Sequence, residues 1–269
     1  VTAERKGERL GALAYRLDRK HRERTQANLR LAFPDWSEAK IQATAKEVFL
    51  HFGRITGDFL RSPARTNEEV LAATEVENEE YYWEAVNRGK GILAITGHFG
   101  NWERVAQVSM ARGRPLAVVA RPANDESLEN LVLATREATG LKVLRRGDSA
   151  RAVLRELRDG GAVSILPDQN SDECFVPFFG HPAGCSLGPA VLQQRSGASL
   201  FTVFGWRVAP GMYRLRFQPL INTDGALGPE EVMAAIHRDL EDVIRLAPEQ
   251  YLWMHDRWKS ARRRGLLAA

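Results

Sequence analysis

The stretch Gly97-His98-Phe99-Gly100-Asn101-Trp102-Glu103 gathers the residue types that proton transfer requires. An imidazole is the side chain whose ordinary pKa, about 6.5, lets it take and return a proton near neutrality. A carboxylate against one ring nitrogen fixes the tautomer and steadies the imidazolium, leaving the other nitrogen to act as base. His98 is therefore the candidate general base and Glu103 its candidate partner. On one continuous helix a five-residue separation rotates the side chains about 140° apart, so the two meet only if the chain turns between them. Gly97 and Gly100 permit tight turns, and Asn101 is a good N-cap for a helix starting at Trp102, which puts Glu103 in its first turn. The chemistry expected of such a pair is activation of a hydroxyl. Ser186 lacks a Gly-x-Ser-x-Gly elbow, so no acyl-enzyme is expected. Cys174 and Cys185 lack Cys-x-x-Cys spacing and read as bystanders, and no metal site is expected. His51 and His237 read as surface or packing residues.

The elements that must position His98 follow from the apolar patterning. Ile92–Thr96, Leu116–Ala120, Ala162–Leu166 and Leu200–Phe204 are short apolar runs of buried-strand type, and residues 102–112, 126–139, 148–158 and 187–196 read as helices between them. Alternating strands and helices imply a layered α/β fold, in which ligands bind beyond the carboxyl ends of the strands. Both His98 and Asp168 sit there. Tyr213, Leu215 and Phe217 alternate with polar residues, as in an antiparallel strand with one wet face, so the sheet is expected to be mixed. Residues 229–246 read as a final amphipathic helix leading to Tyr251-Leu252-Trp253.

Residues 4–32 read as one basic amphipathic helix with a Leu10, Leu13, Leu17 stripe, ended by Pro34, and Ser37 caps a second helix. The chain has 269 residues, 44% of them hydrophobic, enough for one domain with a helical N-terminal extension. Its net charge is +4, and the segment from Glu4 to Arg24 alone carries a surplus of that size. Lys259, Arg262, Arg263 and Arg264 form a second basic patch. Both patches suit an anionic surface. Aromatic residues do not interleave with the cations, which argues against a single-stranded nucleic-acid platform, and no nucleic acid partner is expected. Cysteine usage fits a reducing compartment. The sequence holds no run of 18 apolar residues and no charged-then-apolar leader, so neither a membrane span nor a signal peptide is expected within it.

The His98-x-x-x-x-Glu103 box resembles the signature of bacterial lysophospholipid-type acyltransferases, in particular the branch of late lipid A acyltransferases and mannolipid acyltransferases. Asn28 to Pro34 is similar to that branch's entry motif, and Ala120-Arg121-Pro122 with Arg136 and Gly140 to its second block. Leu166-Pro167-Asp168-Gln169 with Val176 to Gly180 resembles its third, and Gln250 to Trp253 with His255 and Arg257 its C-terminal mark. The resemblance implies a glycerolipid acyltransferase-like fold, with residues 1–60 a membrane-proximal helical extension and 61–269 the α/β acyltransferase domain, together one structural unit. It implies fatty acyl transfer from an acyl carrier protein or coenzyme A thioester to a glycolipid hydroxyl, a lipid A precursor as first expectation, at the cytoplasmic face of the membrane, with no cofactor beyond the co-substrate. Arg121, Arg136, Asp168, Gln169 and Asn101 are the substrate-binding candidates it suggests.

Other readings stay open on the residues alone. A thioesterase or phosphodiesterase would use the same His and Glu on water, and a mannolipid would serve as acceptor as well as lipid A. A non-enzymatic peripheral binder would leave the His98 loop idle. Phe175, Phe178 and Phe179 suit either an acyl groove or core packing.

Overall fold

The computed structural model describes residues 2–120, 125–145 and 149–267. The chain opens with helices α1 (Thr2–Leu17), α2 (Arg19–Ala32), α3 (Glu38–Arg61) and α4 (Asn67–Ala72), followed by β1 (Thr74–Glu77) and α5 (Glu80–Asn87). An alternating run follows: β2 (Ile92–Ile95), α6 (Trp102–Ala111), β3 (Ala117–Ala120), α7 (Glu126–Ala138), β4 (Lys142–Arg145), α8 (Ser149–Arg158) and β5 (Ala162–Ile165). A hairpin of β6 (Cys174–Phe178) and β7 (His181–Cys185) leads to α9 (Gly188–Ser196), β8 (Ser199–Ala209), β9 (Met212–Phe217), α10 (Pro229–Leu246) and α11 (Lys259–Arg263).

Seven strands form one sheet in the order β1-β9-β8-β2-β5-β3-β4. β8 and β9 pair antiparallel and the other neighbours are parallel, which gives the expected mixed, layered α/β architecture. Tyr213, Leu215 and Phe217 of β9 point inward, while Arg214 and Arg216 pair on the other face with Glu75 and Glu77 of β1. β2 lies between β8 and β5 and its four residues are buried, as a parallel strand covered on both faces must be. The strands β1 and β4 and the β6–β7 hairpin were not anticipated.

The N-terminal segment is two helices rather than one. Asp18 breaks it: its carboxylate accepts from the backbone N–H of His21 and caps α2. Helix α1 then runs against α3, and the contact is backbone on backbone. A Cβ at Gly7 would lie 1.9 Å from the Gly53 carbonyl oxygen, one at Gly53 2.2 Å from that of Gly7, and one at Gly57 2.3 Å from that of Ala3. This glycine seam turns the leucine stripe outward: Leu10, Leu13 and Leu17 are 66%, 51% and 74% exposed. Helices α2 and α3 instead enter the main core, where Leu29, Phe33, Ile41 and Val48 cluster with Phe99, Phe178, Phe179 and Trp253. Phe178 and Phe179 are thus packing residues.

Candidate functional site

His98 leaves the carboxyl end of β2 and Asp168 the carboxyl end of β5. These strands are parallel neighbours with Ile95 opposite Ile165, so the two loops emerge side by side. Asp168 Oδ1 lies 2.7 Å from His98 Nδ1, and its Oδ2 accepts the backbone N–H of His98 at 2.8 Å. An ionised carboxylate only accepts, so Nδ1 carries the hydrogen and Nε2 is left unprotonated. Burial opposes ionisation of Asp168, but its two hydrogen bonds from His98, the attraction of that ring when protonated and the Arg257 guanidinium outweigh it and hold the carboxyl down at about 2. The carboxylate that orients His98 is therefore Asp168, and the expected pairing with Glu103 is corrected.

Glu103 turns the other way. Its carboxylate accepts from Arg136 of α7, Nη2 to Oε1 at 2.6 Å and Nε to Oε2 at 3.3 Å, and from Trp102 Nε1 at 3.1 Å. The reason is directional: Asn101 caps α6 through its side chain, bonded to the Arg104 N–H, and the first turn then presents Glu103 toward α7. A bidentate guanidinium pair is a stronger anchor for a carboxylate than a single imidazole N–H. Arg136 lies 17% and Glu103 13% exposed, at the wall of the same cavity that His98 faces.

That cavity, of about 550 Å³, runs between the sheet and helices α7, α8 and α9. Val118, Leu133, Val153, Leu166 and Leu192 give it an apolar wall, and its polar lining includes His98, Glu103, Arg136 and Gln169. A mostly apolar cavity with a few polar groups, His98 among them, is the kind of site that takes a small apolar ligand. Asn101 lies outside it: its Nδ2 donates to Asp58 at 2.9 Å, a structural role instead of the expected substrate contact. Arg121 lies outside the described residues.

The loop around His98 is anchored on every side. Gly100 has φ +59 with a Cβ position 2.0 Å from the Gly205 carbonyl oxygen, so only glycine fits. Gly97 has no such backbone requirement; a Cβ there would strike Leu240. The backbone N–H groups of His98, Gly100 and Asn101 are engaged by Asp168, Gln250 and Gly205, and His98 O accepts from Leu252 N. His51, buried in α3, donates from Nε2 to Gly100 O, and burial pushes its pKa down to about 3. His237 is equally buried, with its Nδ1 bonded to Met233 O and its Nε2 accepting from Arg257. Of the two readings left open for these histidines, surface or packing, both take the packing one. The cysteines are not strangers to one another: Cys174 and Cys185 face each other across the hairpin with sulfurs 2.9 Å apart.

A buried polar knot ties this loop to the N-terminal helices. Asp58 of α3 receives Asn101, Arg104 and Arg65. Arg104 stacks on Tyr213, whose hydroxyl donates to the buried Glu4 of α1. Asn28 of α2 donates to the carbonyls of Trp253 and His255, which joins the first and last sequence motifs. Among the described residues no cluster of His, Cys, Asp and Glu has the arrangement of a metal site.

The profile of the family described as bacterial lipid A biosynthesis acyltransferase matches residues 2–260. Over 260 residues the chain is 28% identical to the lipid A biosynthesis palmitoleoyltransferase of Escherichia coli, covering 94% of this chain and 84% of that one. It is 24% identical over 240 residues to a lipid A biosynthesis acyltransferase of Haemophilus influenzae, covering 88% and 75%. A phosphatidylinositol mannoside acyltransferase of Mycolicibacterium smegmatis is 27% identical over 178 residues, 64% of this chain and 58% of that one.

Proposed function

We propose that this chain, which belongs to the family of bacterial lipid A biosynthesis acyltransferases, moves a fatty acyl group from an acyl carrier protein or coenzyme A thioester to a hydroxyl of a membrane glycolipid. A lipid A precursor is the first acceptor to test, since most of the relatives act in lipid A biosynthesis; the mannoside acyltransferase among them makes a mannosylated lipid the second. The single observation that carries the mechanism is the Asp168–His98 hydrogen bond beside an apolar cavity. His98 Nε2 takes the proton of the acceptor hydroxyl as its oxygen attacks the thioester carbon. The carbonyl becomes an oxyanion, the carbon–sulfur bond then breaks, and the leaving thiolate recovers the proton from Nε2.

The oxyanion requires donors. Three N–H groups of the His98 loop are already used, whereas Arg136 spends only Nε and Nη2 on Glu103. In this reading Arg136 supplies the oxyanion contact, Glu103 holds Arg136, and Asp168 holds His98. The acyl chain of the donor lies in the apolar cavity, with Gln169 in its polar lining.

Attachment to the cytoplasmic face of the membrane, peripheral or anchored, is part of this reading. No helix among the described residues is long and apolar enough to cross a membrane. What supports attachment is the outward Leu10, Leu13, Leu17 stripe on a basic helix pair, since each cation near an anionic leaflet contributes on the order of 1 kcal/mol.

The test is to supply a labelled acyl thioester with and without the lipid A precursor, following free acid and acylated lipid by mass spectrometry. Acylated lipid should account for the thioester consumed. Equal consumption without acceptor would make the protein a thioesterase.

A further inference from the structure

Transfer of a fatty acyl group from a thioester to a lipid brings hydrocarbon of both substrates to one base, and the cavity beside His98 is one compartment for it. A second, larger groove of about 860 Å³ lies between α1, α3 and the segment 252–255. Its walls include Leu10, Ala14, Phe52, Thr56, Leu252 and Met254. Two hydrogen bonds join its lining to that of the first cavity: Leu252 N to His98 O at 3.0 Å, and Asn170 N to His255 Nε2 at 2.9 Å. An aromatic relay does the same, for Phe52 packs 6.1 Å from Trp102, which packs 5.1 Å from His98, centroid to centroid. The groove thus ends against the far side of the catalytic loop.

Its rim identifies the ligand's polar end. Lys6, Arg24 and Arg61 border it and make no ion pair among the described residues, while the one acid there, Asp18, is held by His21. Unpaired cations around an apolar trough complement an anionic head group with hydrocarbon attached. Leu10, at the groove's edge, belongs to the exposed leucine stripe, so the trough opens on the face proposed above to meet the bilayer.

We infer that this groove holds hydrocarbon of the acceptor lipid, with its anionic head group against Lys6, Arg24 and Arg61, while the first cavity holds the donor's acyl chain. The inference rests on the acyltransferase reading. It assigns the two substrates to opposite sides of His98: the acceptor stays in contact with the membrane, and the donor chain enters between α7, α8 and α9.

Ala14 and Thr56 are exposed positions in the groove, so bulk there fills the trough without disturbing the core. The test measures transfer to a lipid A precursor and to an analogue with shortened acyl chains, both in detergent-mixed micelles, for wild type, Ala14→Trp and Thr56→Trp. Thermal midpoints and binding to anionic vesicles are measured on the same samples. The expected result is a fall of about tenfold in the ratio of kcat/KM for the long-chain over the short-chain acceptor, arising in the acceptor KM, with the KM for donor thioester unaltered. An unchanged ratio in both variants overturns the inference, and so does a loss that merely tracks vesicle binding. Wild-type protein that acylates neither acceptor would instead sink the acyltransferase reading itself.

Discussion

His98 and Asp168 each stand three residues beyond a pair of register partners, Ile95 and Ile165, on adjacent parallel strands, and one carboxylate grips both the ring and the backbone of the histidine. The grip fixes the imidazole's position and its tautomer together. Replacing Asp168 by Asn keeps the shape but offers an N–H toward Nδ1, which favours the tautomer with hydrogen on Nε2. Asp168→Asn should therefore lower kcat on the order of 10² to 10⁴-fold, comparable with His98→Ala, at an unchanged far-UV spectrum. Near-normal turnover in Asp168→Asn would remove Asp168 from the role of orienting the base, and near-normal turnover in His98→Ala would remove the histidine from that of base.

Glu103 and Arg136 should behave as a unit apart from that pair. Arg136→Gln removes the guanidinium proposed for the oxyanion and should cost kcat on the order of 10² to 10³-fold. Glu103→Gln only loosens it and should cost less. In the double variant the losses should not add, because each acts through the same contact. Additive losses in steady-state kinetics would place the two residues in separate roles.

Stability should fall in acid well above the range where Asp168 titrates. Burial lowers His51 and His237 to about 3 and His255 to about 4, against about 6.5 in an unfolded chain. Between those values the unfolded state binds more protons, so stability rises with pH there and is lost as pH drops from 6.5 toward 4. Asp239, raised to about 6 by burial, works in the opposite sense between 3.8 and 6 and offsets one proton of this slope. His237→Gln should flatten the pH dependence of the unfolding free energy, read from urea titrations, by up to about 1.4 kcal/mol per pH unit. An unaltered slope would mean that His237 titrates normally in the fold.

Asp58 carries more of the structure than any other acid of α3. Truncation to Ala leaves Arg104, 1% exposed, without its carboxylate and frees Asn101 as well. Breaking a buried pair in this way costs about 3–5 kcal/mol. Denaturant unfolding of Asp58→Ala measures it, and a loss below 1 kcal/mol would show that the knot behaves as a surface bridge.

Membrane attachment should need both halves of α1. Leu13→Ser with Leu17→Ser removes exposed apolar area without touching the groove wall, and should weaken binding to anionic vesicles at any salt. Replacing Arg5, Arg9 and Arg16 by Gln should weaken binding most at low salt, where exposed charges are least screened. Equal sedimentation with neutral and anionic vesicles would remove the electrostatic part.

Much of this architecture was legible in the residues because burial writes a period. The helix expected at 229–246 and the strands starting near Ile92 and Ala162 stand where the apolar runs put them. β1 and β4 were missed since Thr74–Glu77 and Lys142–Arg145 lack an apolar run; these are the edge strands of the sheet. The His98 loop was found from its residue types, and Asp168 was placed on the same rim, but the carboxylates were assigned by sequence proximity. Register between β2 and β5 decided otherwise, and register between strands 70 residues apart leaves no local mark. Asp58 was missed, and the partners of His51 and Arg257 were not foreseen, for the same reason: the contacts join residues distant in sequence. Asp18 ended a helix without proline or glycine, through a side-chain cap that the charge pattern masked.

The glycine seam between α1 and α3 has a mechanical consequence. Side chains that interlock can repack and let two helices slide or roll, but here carbonyl oxygens of one helix lie where the other has no Cβ, and shifting α1 by one residue would bring Lys6 or Glu8 against the Gly53 carbonyl. The first helix is therefore locked against slips of a single residue. The offset of its leucines from His98 is then held by backbone contact, as the offset between keel and propeller is held in a hull, and in the membrane-attached reading proposed above it sets how deep the reactive nitrogen rides.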